Sequence, residues 1–154
     1  MNTSPASERS FRLKAAGIFA LMVAVNYLPV FSGRMPFPRD LVLRHAAWDE
    51  TPRTGDPQKV AEIGDLVTSF YPFHTLAARA ARQGSLALWN PYLLAGAPLQ
   101  ANSQSALFYP LNFLYYVLPV SAAWTAAIMT RMFLAGAFMS LLARALGASA
   151  AGSI

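Results

Sequence analysis

"AAWTAAIMTRMFLAGAFMSLLARALG", Ala122 to Gly147, is the stretch on which the fold turns. At about 1.5 Å per residue, such a run coiled as a helix outreaches the ~30 Å hydrocarbon core of a bilayer. It carries two charges, Arg131 well inside and Arg144 near its far end. An Arg held in hydrocarbon costs at least ~2.5 kcal/mol on translocon scales unless a partner or a wet cavity receives it. Gly136 and Ser140 stand four residues apart with Ala135 and Ala137 beside them, a small-residue face on which another helix can pack closely. The run therefore reads as a spanning helix, over 121–147, that expects neighbours. Arg144 fits a cytoplasmic end under the positive-inside bias.

The rest of the chain agrees with a membrane setting. Of 154 residues, 55% are hydrophobic and only 12% charged, with mean hydropathy +0.36, which leaves little polar surface to cover a soluble globule. The net charge of +5 is scattered without a Lys/Arg block, so nucleic acid is not an expected partner. With no Cys, disulfide frameworks, thiol nucleophiles and thiolate metal sites are excluded together.

Toward the amino terminus, residues 1–14 are polar, and Arg9, Arg12 and Lys14 outnumber Glu8. "AAGIFALMVAVNYLPVFSG", 15–33, has no charge and is expected as the first transmembrane helix, with Pro29 near its exit. A signal peptide cleaved near Val30-Phe31-Ser32 is the rival, and the length of the apolar run favours an anchor. Both readings keep the basic end in the cytoplasm. Residues 34–120 then form a large extracytoplasmic loop. Two amphipathic or interfacial helices are expected in it, at about 65–84 and 105–119, the first with Gly84 as its stop. Residues 148–154 begin the next segment.

Between these helices lies "LWNPYLLAGAPLQANSQSALFYPLN", 88–112, without a single acidic or basic residue. Pro91, Pro98 and Pro110 break it into turns. Asn90, Asn102, Gln104 and Asn112 offer neutral donors and acceptors that suit sugar hydroxyls, or the loop's own backbone. Trp89, Tyr92, Phe108 and Tyr109 offer flat faces for a sugar ring or prenyl chain, and equally suit the headgroup zone. Asp40, the Asp49-Glu50 pair, His45 and His74 make no spaced metal-ligand motif. No metal site is assigned, although a divalent cation is compatible with the acids. No Ser-His-Asp set, P-loop or GxGxxG pattern is present.

Three stretches, "GDLVTSFYPFH" (64–74), "LALWNPYLLAGAPLQANSQSALFYPLNFLYYVLP" (86–119) and "LAGAFMSLLARALGAS" (134–149), in this order and spacing resemble the beginning of the bacterial YfhO-like membrane proteins. That family is related to the GT-C glycosyltransferases. The resemblance implies an all-α integral membrane protein of the bacterial cytoplasmic (inner) membrane, here the amino-terminal portion of a polytopic fold whose further helices would be its partners. It implies sugar transfer from a polyprenyl-phosphate donor to an extracytoplasmic acceptor, with a loop carboxylate as base. The matching acid is Asp65, whose residue-level alternative is a helix N-cap. Arg131 is expected to meet the carrier phosphate, or else to snorkel or pack against another helix. The 154-residue chain by itself is expected to be unstable and inactive. The rivals are a non-enzymatic multi-pass protein (scaffold or transport element) and an inactive gene fragment. A secreted domain behind a cleaved signal is a further alternative.

Overall fold

The computed structural model describes residues 5–37 and 64–154. They are mostly helical: α1 (Pro5–Asn26), α2 (Tyr71–Arg82), the short α3 (Leu114–Val117) and α4 (Val120–Ala145), with one small hairpin of β1 (Trp89–Asn90) and β2 (Ala97–Pro98). The chain divides into two compact units, Met1–Met35 with Thr125–Ile154, and Pro36–Trp124.

In the first unit α1 and α4 run antiparallel. As the chain climbs α1 it meets α4 in reverse order. Glu8 pairs with Arg144, the Phe19 ring lies against Gly136, and the Tyr27 hydroxyl reaches Met132 Sδ at 3.2 Å. A Cβ placed on Gly136 would stand 2.5 Å from Phe19 Cδ1, so the close approach depends on the missing side chain. The Arg144 guanidinium also sits 5.0 Å from the Phe11 ring centroid and donates to the Ala148 carbonyl. Beyond α4 the chain reverses with Gly147 in the left-handed region, where Gly147 N–H and Ala148 N–H take the Arg144 and Ala143 carbonyls.

Among the described residues, α4 alone is long and apolar enough to cross a membrane, and most of it is unburied. The first apolar run does not stay one helix to residue 33. It leaves the α form at Tyr27 and continues as a 3-10 turn over Leu28–Ser32. Pro29 is the reason, since its ring collides with the carbonyl four residues back and disfavours helix in the residue before it. The charges at Glu8, Arg9, Arg12 and Lys14 fall inside the same helix, which leaves 15–26 as its uncharged part.

The second unit is built on α2. Phe73 and Ala77 of its buried face meet Ala87, Leu99 and Leu107 in one apolar core. The expected stripe is present, and the expected stop is a Schellman turn. Gly84 has φ 72°, its N–H bonds the Ala81 carbonyl, and Ser85 N–H bonds the Ala80 carbonyl. Before α2 the helix widens into one π turn, Leu66–Phe70, with Tyr71 N–H on the Leu66 carbonyl. Pro72 explains the widening, because it has no N–H and its ring needs the space of the preceding turn. The segment expected as a helix over 105–119 is three short pieces, Ser103–Ser105, Pro110–Phe113 and α3. Ala106 at φ 44° separates the first two, and Leu118 leaves the helix with φ −107° just before Pro119.

Candidate functional site

The uncharged segment after α2 is where the sequence-level site residues concentrate. β1 and β2 pair antiparallel, Trp89 opposite Pro98 and Asn90 opposite Ala97. Asn90 is buried, and its Oδ1 accepts from Tyr92 N–H at 3.0 Å, folding the chain over Pro91. Gly96 closes the hairpin with φ 117° and its N–H on the Leu93 carbonyl at 2.7 Å. A Cβ there would lie 2.6 Å from the Trp89 indole, which rests across the turn.

The next turn is organised in the same way. Asn102 Oδ1 accepts from Gln104 N–H at 2.9 Å and opens the 3-10 turn. Ser105, almost wholly buried, shares its hydroxyl proton between the Leu99 and Asn102 carbonyls, each at 2.8 Å. Asn112 Nδ2 donates to the Ala106 carbonyl at 2.7 Å, which also accepts from Tyr109 N–H at 3.0 Å, so both lone pairs of that oxygen are used. The Tyr116 hydroxyl donates to the Leu107 carbonyl at 2.7 Å, and burial pushes its phenol pKa up.

The aromatic side chains do the opposite. Trp89, Tyr92, Phe108 and Tyr109 are all exposed, as are Leu86, Leu88, Leu94 and Phe113. The segment buries Asn90 and Asn112 and shows its rings. Of the four amides, Asn90, Asn102 and Asn112 bond the loop's own backbone, and Gln104 is exposed. Sequence reading missed Ser105, Tyr115 and Tyr116, because no period or motif marks a residue whose role is to meet one particular carbonyl or ring.

Asp65 is exposed and lies just before the π turn. Its backbone is already helical (φ −59°, ψ −27°) and its carboxylate makes no cap hydrogen bond, so the capping alternative does not describe it. His74 is buried, stacked on Tyr115 at 4.2 Å and 7°, with Trp124 edge-on at 6.3 Å. Trp124 in turn packs on Tyr71 and donates its indole N–H to the Pro36 carbonyl at 3.0 Å. Arg131 is half-buried on α4 and belongs to the first unit, whereas Asp65, Asn90, Asn102, Gln104 and Tyr109 belong to the second. Asp40, His45 and the Asp49-Glu50 pair lie outside the described residues. Among the described residues no three of His, Asp and Glu gather as a cation site.

No family model, no curated protein and no solved structure matches this chain.

Proposed function

We propose that this chain is the amino-terminal portion of a multi-spanning membrane protein of the YfhO-like, GT-C-related kind, with α1 and α4 as its first two crossings. The observation that carries the membrane reading is α4. Its 26 residues extend about 39 Å. Large apolar side chains, among them Met132, Phe138, Met139 and Leu142, stand unburied along it. A helix apolar on all sides with so little protein cover is suited to lipid. For the first crossing, 15–26 as α-helix and Leu28–Ser32 as 3-10 turn together reach about 28 Å. Lys14 at its edge can extend toward the headgroups.

Within this reading the protein transfers a sugar from a polyprenyl-phosphate donor to an extracytoplasmic acceptor. The Asp65 carboxylate takes the acceptor hydroxyl proton as that oxygen bonds the anomeric carbon. The anomeric carbon–oxygen bond to the carrier phosphate breaks, and the carrier leaves with that oxygen and its electron pair as a phosphate. Support comes from the three resembling stretches and from the exposed, uncapped carboxylate of Asp65. In the full-length protein Asp65→Asn is expected to cut transfer by about 10²–10⁴-fold, the usual worth of a general base, at unchanged membrane abundance. Transfer retained in full would end the enzymatic reading.

One observation favours the rival, a non-enzymatic scaffold or transport element. Three of the four amides suited to sugar hydroxyls already bond the loop's own backbone. Under that reading Asp65→Asn changes nothing.

A further inference from the structure

The hairpin between α2 and α3 is built to hold apolar side chains outward. Leu94 is 89% exposed, Tyr92 77% and Trp89 55%. Leu94 and Ala95 have φ of 51° and 62°, a region that side chains other than Gly and Asn occupy only at a cost. In water that cost has no evident return, since it places a leucine at the tip of a turn.

We infer that this hairpin docks in the headgroup zone of a lipid bilayer, with Leu94 inserted below it and Trp89 and Tyr92 at its level. The inference rests on the membrane reading above and goes beyond it in naming the anchoring element.

Three features favour lipid over a protein partner. First, no residue from Gln83 to Thr130 is acidic, basic or histidine, so the hairpin brings no charge of its own into a neutral, low-dielectric phase. Second, the tip joins Trp and Tyr, whose rings carry one polar atom each, to an aliphatic residue, the pairing found at membrane–water boundaries. Third, the strands are two residues long, and Pro98 and the loop's Pro91 lack N–H donors, so the edge is unfit to pair with a second copy.

The chain contains no cysteine, so single labels are clean. Leu94→Cys, Tyr92→Cys, Gln100→Cys and Phe138→Cys, each carrying a nitroxide, are placed in the full chain in phosphatidylcholine–phosphatidylglycerol vesicles. Collision with oxygen reports hydrocarbon and collision with a water-soluble nickel chelate reports water. Expected is oxygen dominance at Leu94 and Phe138, an intermediate value at Tyr92, and nickel dominance at Gln100. Nickel dominance at both Leu94 and Tyr92, with Phe138 still in oxygen, overturns the docking and leaves the membrane reading standing. Shielding of Leu94 and Tyr92 from both reagents means that protein covers the tip, and overturns the docking as well. Nickel dominance at Phe138 removes the membrane reading and the docking with it.

Discussion

At the scale of single residues, the second unit is governed by which backbone groups its turns leave unpaired. Residues 94, 95, 96 and 106 take positive φ, and around these turns Asn90, Ser105, Asn112 and Tyr116 bond the Tyr92 N–H and the Leu99, Asn102, Ala106 and Leu107 carbonyls. Gly96 is the least replaceable of the glycines. Gly96→Ala brings a Cβ onto the indole in a backbone region closed to L side chains, and is expected to cost about 1–3 kcal/mol. Gly17, inside α1 with open space around it, is the opposite case. Gly17→Ala is expected to stabilise by about 0.5–1 kcal/mol, and thermal unfolding in detergent micelles compares the two.

Tyr116 adds a pH dependence. Its folded-state pKa stands above the ordinary 10.0 because burial disfavours the phenolate. The native state therefore keeps the proton to higher pH than the unfolded chain does. This contribution is whole below about pH 10 and is lost as pH rises through the raised native value. Tyr116→Phe should remove that alkaline loss. At neutral pH it should cost about 0.5–1.5 kcal/mol for the lost bond to Leu107. An unfolding midpoint that falls equally in both proteins above pH 10 would contradict this.

At the scale of elements, the α1–α4 pair is set by one contact at each level. Gly136 admits Phe19, and Glu8 meets Arg144, which also rests on Phe11. A partly exposed ion pair contributes little, about 0.5–1 kcal/mol, and the cation–π contact a similar amount. Arg144→Glu should therefore destabilise by more than Glu8→Arg, since it loses the ring contact and the bond to Ala148 as well. The double exchange should recover part of the loss. An additive double mutant would show that the pair does not hold the helices. Much of this level is legible beforehand. The spacing of Gly136 and Ser140 announces a packing face, and Gly84 announces the end of α2. The early exit of α1 at Asn26 follows from Pro29, whose effect reaches back several residues.

At the scale of the whole molecule, the proposed topology makes the amino end of α1 and the carboxyl end of α4 share one side of the membrane, with the residues between them opposite. Ser7→Cys and Ser149→Cys should react with an impermeant maleimide only after cell lysis, and Ser103→Cys in intact cells. Labelling of Ser7→Cys from outside would reverse the orientation, and equal labelling of all three in a soluble fraction would discard it.

The sequence by itself determines the composition, the apolar helix α4, the apolar stripe of α2 and the broken character of 88–112. These depend on short-range chemistry: helix rise, side-chain period and the dihedral limits of Pro and Gly. Only the tertiary structure decides that Asn90 and Asn112 of that segment are buried while its rings face outward, that Asp65 is helical rather than a cap, and that Phe19 is the ring received at Gly136. Each depends on where a particular carbonyl, ring or gap lies once distant parts of the chain have met. In a segment without a repeating period, no local rule supplies that position.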